Sequence, residues 1–517
     1  MERSRSERAR GVAVAGSRQP VPSQAYDYIV IGAGIYGLPL AYFLRRLLPG
    51  SRVLVLEDNT IPGECITVNT GGIIRACYSN VDVMSVSAFG RPYFADPTAV
   101  MELRSHVHTG FVPAGWVRMV NERETPGIVA EIERLAAAAR ERNIPGVWTS
   151  PLADYCATLS PQRLANLRKV VDLDDVSHVL VDDNGGYADG GTSLVAFLEA
   201  CLDHGVDVAT FCRVDGFLRD GEAVRGVHFQ RWRPEADGSG GERRVAVGEG
   251  EVSGRTVIVA AGLGSRRLIE RTCGLRLATF PTYHQTPMVE NAADVNFTPT
   301  TYRRSEPDPD SGVLRQRQIV VADLPVISHW RDLYFHSEGS GLTVGAHHRQ
   351  LHDETYTPLG GKLVLDDTAI EVGLDQILVD KIMANLDYFP VLSTSGLRLG
   401  KRPKDIPGGF YIMNPEELPF EGPVPGTAET LFYVGSGSGT GFKLGPGVSY
   451  LLAQRLAGVA RERRIIASSV LSSERAQYFY PGETLEADLR ALFDPKLGRF
   501  RHIGASGVGL RKQPPQG

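Results

Sequence analysis

Near the start of the chain, Gly32-Ala33-Gly34-Ile35-Tyr36-Gly37 has the residue types and spacing to hold a pyrophosphate. In such a run the first glycine permits a tight turn, the second lets the backbone approach the phosphates, and the third lets a helix pack closely on a strand. Gly32, Gly34 and Gly37 take those parts. The backbone around Ile35 and Tyr36 then opens a helix whose N–H groups and partial positive charge favour an anion. Further on stands Glu57, followed by Asp58, where a carboxylate accepts hydrogen bonds from ribose hydroxyls. A lone GxGxxG is weak evidence, and a glycine-rich turn without a ligand is the bland alternative.

The surrounding elements decide between them. Tyr28-Ile29-Val30-Ile31 reads as a buried parallel strand, Leu38–Leu48 as a helix stopped by Pro49-Gly50, and Arg52–Glu57 as the next strand. The glycine run therefore joins a strand to a helix, and the acid ends the second strand, which is the context a dinucleotide site requires. This unit alone serves NAD or FAD equally. Downstream, Ser193–His204 reads as a helix, Val206–Cys212 as a strand, and Val214–Phe229 as a hairpin turning at Asp220-Gly221. Pro234–Gly250 reads as an exposed polar loop and Arg255–Ala261 as a second buried parallel strand. From Pro281 to about Leu399 alternating strands surround one helix, Leu374–Leu386. Thr430–Val434 reads as a strand, Gly435–Gly447 as a glycine-rich loop, and Val448–Ala460 as a helix.

Composition narrows the class. A chain of 517 residues needs more than one ordinary core. The formal net charge of -5 gives no global basic field for nucleic acid or anionic membrane. The six cysteines are scattered, without CxxC pairs or metal-ligand spacing, so neither a metal site nor a disulfide framework is expected. That usage fits a reducing, cytoplasmic setting. Residues 1–25 are rich in Arg, Ser and Ala and read as a disordered extension, without the apolar run of a secretory signal. No apolar stretch is long enough for a membrane span.

With these segments in place, the chain resembles the D-amino-acid oxidase / sarcosine oxidase superfamily of FAD enzymes. The likeness runs in order through the fingerprint, Asn69-Thr70-Gly71-Gly72-Ile73-Ile74-Arg75-Ala76-Cys77-Tyr78, Gly191-Thr192-Ser193-Leu194, Val259-Ala260-Ala261-Gly262-Leu263-Gly264-Ser265, and Gly435-Ser436-Gly437-Ser438-Gly439-Thr440-Gly441-Phe442-Lys443. The resemblance implies an α/β fold: a Rossmann-like FAD-binding domain built from 26–95, 185–280 and 400–465, interwoven with a mixed-sheet α+β substrate domain at 96–184 and 281–399. Residues 466–517 would form a C-terminal extension. It implies flavin-side contacts from Gly71, Gly72 and Ile73, a backbone contact on the adenine from Val214, a strand end at Ala260, Ala261 and Gly262, and a flavin loop at Gly435, Gly439, Thr440, Gly441, Phe442 and Lys443.

Two segments are similar to the monomeric sarcosine oxidase branch, which implies that Arg75 and Lys443 together hold a substrate carboxylate. An arginine fork with a lysine point charge suits that task. A phosphate contact for Arg75 and a surface salt bridge for Lys443 are the plainer readings. The likeness also implies active-site places for Tyr78 and for His347, which follows Gly341-Leu342-Thr343-Val344-Gly345-Ala346; a strand-end structural histidine is the alternative for His347. The chain departs from the branch where Thr343 replaces a lysine, where Gly72 replaces an arginine, and where Ser395–Pro403 lacks the flavin-linking cysteine. These departures imply non-covalent FAD and leave oxygen or another electron acceptor open. The expected reaction is oxidation of the C–N bond of an amino acid or related secondary or cyclic amine to an imine. The rivals are a hydroxy acid or polyol phosphate dehydrogenase, and a flavoprotein assembly factor without catalysis.

Overall fold

A computed structural model describes residues 25–59, 62–63, 66–236, 242–289, 297–307, 314–338, 341–346, 350–351, 376–394, 408–414, 418–459, 479–481, 493–494 and 499–500. The elements that build the site are, in chain order, β1 (Tyr26–Ile31), α1 (Gly37–Leu47), β2 (Val53–Leu56), β3 (Ile73–Ile74), β4 (Trp116–Val120), β5 (Val147–Pro151) and β6 (His178–Asp182). Next come α2 (Gly190–Asp203), β7 (Asp207–Ala209), β8 (Cys212–Asp220), β9 (Ala223–Ala236), β10 (Glu242–Val259), β11 (Phe280–Gln285) and β12 (Met288–Val289). The last are β13 (Val326–His329), β14 (Leu333–Glu338), β15 (Gly341–Ala346), β16 (Gly408–Met413), β17 (Phe420–Pro423), β18 (Leu431–Gly435) and α3 (Gly441–Leu456).

Two large sheets result. The first runs β17-β18-β10-β1-β2-β7, with β8 and β9 attached beside β10. Its centre is parallel: β1 pairs β2 on one side and β10 on the other, and β10 pairs β18. The β1, β2 and β18 residues are almost wholly buried, as the continuous apolar runs require of strands covered on both faces. Helices α1, α2 and α3 pack over this sheet, with Leu38, Leu44, Phe197, Val448 and Leu452 in one core with Val30 and Val55. The second sheet, β12-β15-β14-β13-β4-β6-β5, is mixed: β4 pairs β13 in parallel and β6 antiparallel. A separate three-stranded sheet contains β11 and β16, which pair antiparallel. No helix among the described residues is long and apolar enough to cross a membrane.

Three expectations are corrected. Pro234–Gly250 is not a loop, because β9 and β10 pair out to Ala236 and Glu242, leaving only 237–241 between the strands. An exposed ribbon is polar on both faces and shows no alternation of hydrophobicity to read. Val206–Cys212 is not one strand. It breaks after Ala209 at Phe211, which sits in the left-handed region at φ 59° before β8 begins. The closing helix starts at Gly441 rather than Val448, and Gly445 and Gly447 are packing residues inside it. A Cβ on Gly445 would fall 2.5 Å from the Ile35 carbonyl oxygen, and one on Gly447 would fall 2.6 Å from Val86. These glycines serve close helix contact instead of loop conformations.

One consequence is measurable. His329 in β13 is 3% exposed, meets Phe389 edge-on at 4.9 Å, and accepts the Arg331 N–H at Nδ1 over 3.3 Å. Burial first, then the Arg331 charge, pulls its pKa from 6.5 down to about 3. The folded protein thus holds a neutral imidazole that the unfolded chain would protonate. Its stabilising contribution is complete above pH 6.5 and is lost as pH falls from there toward 3. At pH 5 the expected loss is about 2 kcal/mol. Urea unfolding at pH 7 and pH 5 should show a smaller difference for His329→Gln than for the parent; an equal difference would assign the acid lability elsewhere.

Candidate active site

The glycine run lies where β1 meets α1, as a tight turn requires. Gly32 has φ 101°, and a Cβ there would stand 2.6 Å from the Ala260 carbonyl oxygen. A Cβ on Gly37 would stand 1.8 Å from the Gly32 oxygen, so helix and turn touch through glycine alone. Gly34 is different: only Thr67 Oγ1, at 3.5 Å, lies near its free face. The Ile35 N–H donates to that same hydroxyl at 3.3 Å. Helix α1 has no side-chain N-cap and no acid in its first turn, so its N-terminus keeps its positive end for a ligand. Beside it the Tyr36 hydroxyl is buried without a hydrogen-bond partner among the described residues. A Cβ on Gly437 or Gly441 would approach that hydroxyl to 2.6 or 3.1 Å. An uncapped helix end, an open glycine face and an orphaned phenol fit a bound dinucleotide.

Glu57 follows β2 and is 6% exposed. Its Oε2 accepts the Ala33 N–H at 2.7 Å, and its Oε1 accepts the Asn59 N–H at 2.9 Å. Asp58 turns elsewhere, toward Arg213 of β8, Trp232 of β9 and Arg244 of β10. Val214 lies in β8, its backbone paired with Phe229. Ala260, Ala261 and Gly262 follow β10, with the Ala260 N–H on the Ile31 oxygen at 2.8 Å and Gly262 at φ 56°. Gly435 ends β18, and Phe442 packs on Phe94 at 4.9 Å.

A cleft of about 650 Å³, open mouth included, is lined by seven of the expected residues: Gly71, Gly72, Ile73, Arg75, Gly439, Thr440 and Lys443. Lys443 stands in the first turn of α3 and is 8% exposed. Arg75 follows β3 and is held on three sides. Its guanidinium carbon lies 4.6 Å from the centre of the Tyr78 ring and 4.7 Å from that of Trp116, and Nη1 donates to the Cys77 oxygen at 3.0 Å. Tyr78 is therefore a fully buried support for Arg75 and not one of the cleft-lining residues. Burial, then the Arg75 charge, brings the half-buried Arg118 guanidinium down to about 10. Arg75 and Lys443 are the two cationic side chains that line the cleft among the described residues.

Five further cleft residues escaped the sequence: Trp116, His284, Ser328, Tyr334 and Tyr411. Trp116 Nε1 donates to Ser328 Oγ at 3.0 Å, and His284 Nε2 lies 2.6 Å from the Tyr334 hydroxyl. The His284 ring stacks on Tyr411 with centroids 5.4 Å apart. These residues come from β4, β11, β13, β14 and β16, and no local spacing links them. His347 and Ser395–Pro403 lie outside the described residues. Among the described residues no group of three or more His, Cys, Asp or Glu could hold a metal ion.

A 26% identity over 217 residues relates the chain to sarcosine oxidase subunit beta of Arthrobacter sp., covering 41% of this chain and 49% of that protein. The chain thus spans about half the length of the curated relatives it matches. L-proline dehydrogenase from P. horikoshii shares the fold with a TM-score of 0.58 at 15% identity, over 85% of this chain and 96% of that one. L-amino acid deaminase from Proteus vulgaris does so with a TM-score of 0.60 at 14% identity, over 95% and 100%. The family model described as "FAD dependent oxidoreductase" matches residues 27–455. Most of the chain lies within that match, and the chain belongs to the FAD dependent oxidoreductase family.

Proposed function

We propose that this oxidoreductase removes a hydride from the carbon beside the amine of a carboxylated substrate, an amino acid or a secondary or cyclic relative, leaving an imine. The observation that carries the reading is that Arg75 and Lys443, distant in sequence, line one cleft with Gly71, Gly72 and Thr440. Bound FAD supplies the two-electron acceptor. The Arg75 fork is suited to grip a carboxylate bidentately, and Lys443 adds a second charge. Held there, the substrate presents one face of its α-carbon in a fixed orientation, which lowers the barrier by pre-ordering the reacting atoms. Hydride loss requires the neutral amine, and a cation near the substrate nitrogen favours that form. No Asp or Glu lines the cleft among the described residues, so substrates with cationic side chains are disfavoured.

Electron transfer onward is proposed to avoid oxygen. Gly72, where the sarcosine oxidase branch carries an arginine, has φ 68°, and a Cβ there would fall 1.9 Å from the Ala188 oxygen. No side chain fits that position. Thr343, in place of a lysine, is 2% exposed in β15. Fewer cations near the flavin give less stabilisation of developing superoxide. FAD is proposed to be bound non-covalently, and denaturation should release it into solution.

The test is anaerobic titration of the holoprotein with N-alkyl, cyclic and primary amino acids, lysine and arginine, and 2-hydroxy acids. Neutral amino acids of one amine class should bleach the visible band of the oxidised flavin, lysine and arginine should not, and readmitted air should restore the band slowly. Bleaching by hydroxy acids alone would overturn the C–N assignment.

A further inference from the structure

The long hairpin of β9 and β10 carries contacts that the proposed reaction does not use. Arg244 lies 4.2 Å over the Trp232 ring, and Trp232 meets Phe211 edge-on at 5.0 Å. From this cluster, and from Arg213 of β8 beside it, donors converge on the turn after β2. Trp232 Nε1 donates to Asp58 Oδ1 at 2.9 Å, and Arg213 Nε and Arg244 Nη1 donate to Asp58 Oδ2 at 3.0 Å each. Arg244 Nη2 also donates to Asn59 Oδ1 at 2.5 Å. The Phe211 N–H reaches the Asn59 carbonyl at 3.4 Å.

Asn59 in turn donates its backbone N–H to Glu57, whose other oxygen holds the Ala33 N–H of the glycine turn. The buried Glu57 carboxylate is thus fixed between the phosphate cradle and a turn that the hairpin pins from outside. Single exposed ion pairs contribute little. Here, however, five hydrogen bonds meet on Asp58 and Asn59, two ring contacts tie Arg244, Trp232 and Phe211 together, and the left-handed Phe211 places the cluster against them.

We infer that this hairpin is a latch on the adenosine half of the FAD site, with Arg244 and Trp232 as positioning residues that act through Asp58 and Asn59 on Glu57. The inference rests on the family's FAD and on Glu57 facing the ribose, and it is independent of which substrate is oxidised. With the latch loosened, Glu57 loses one fixed donor and its preset orientation, so bound FAD leaves sooner and the flavin end is untouched.

The experiment compares parent, Arg244→Ala, Arg244→Lys, Trp232→Ala and Asp58→Asn proteins. FAD dissociation is followed by recovery of free-flavin fluorescence on dilution. ADP affinity of each apoprotein is measured by calorimetry, and apoprotein melting is recorded beside it. Arg244→Ala and Trp232→Ala should speed FAD release about tenfold and weaken ADP by a similar factor, the size of one charge-assisted hydrogen bond. Arg244→Lys should recover part of the loss, Asp58→Asn should show a smaller loss, and apoprotein melting should not move. Unchanged FAD and ADP binding would overturn the latch. So would losses that track a lower apoprotein melting midpoint, because the hairpin would then be plain scaffolding.

Discussion

Arg75→Ala is expected to raise the substrate dissociation constant a hundredfold to a thousandfold, about 3–4 kcal/mol, in a protein that still purifies yellow. The size follows from burial. Arg75 is 9% exposed and rests over two aromatic rings, so its charge is neither screened by water nor free to wander. A carboxylate docked on it gains a desolvated, charge-assisted contact, and truncation also leaves that carboxylate beside a void. Arg75→Lys should recover little, because a lysine offers neither the planar fork nor the same stacking on Tyr78 and Trp116. Lys443→Ala should cost less than Arg75→Ala, since it removes a point charge and leaves the bidentate fork in place. The measurement is the perturbation of the flavin spectrum by a titrated amino acid, with flavin content quantified in parallel. Loss of flavin in both variants would show that these side chains hold the cofactor and not the substrate.

Legibility in the sequence followed distance along the chain. The fingerprint, β1, α1, β2 and the Asp220-Gly221 hairpin could be read because each is closed by neighbours a few residues away, through turn chemistry and apolar runs. Arg75 and Lys443 could be named only by resemblance; their meeting in one cleft depends on how α3 packs over the first sheet. Trp116, His284, Ser328, Tyr334 and Tyr411 carried no signal, because each is an ordinary inward residue of a different strand and the site exists only once those strands are ordered. The β9–β10 ribbon failed in the opposite way. Its polar composition looked like a loop, yet its backbone pairing, not a buried face, makes it a pair of strands.

A second large effect belongs to a residue that no motif singles out. Asp182, at the end of β6, is fully buried; Oδ1 accepts from Arg91 Nη1 at 2.9 Å and Oδ2 from the Ala76 N–H at 2.6 Å. Burial holds its carboxyl above the usual carboxylate range, with Arg91 and the Ala76 N–H pulling it back. Asp182→Asn should therefore destabilise the protein by roughly 3–5 kcal/mol, because it strands the Arg91 guanidinium in a desolvated site. The lost quantity is compensation of a buried charge rather than a net gain from the pair. Removing both charges together, as Arg91→Met with Asp182→Leu, should consequently recover most of the stability. Substrate affinity separates the second role of the same carboxylate. Asp182→Asn keeps an acceptor for Ala76 and should leave the backbone under Arg75 in place, whereas Asp182→Ala frees it and should weaken binding as well. Denaturant midpoints and amino-acid titrations of the three variants decide the matter. A double variant no more stable than Asp182→Asn would mean that packing around β6, and not the buried charge, sets the loss.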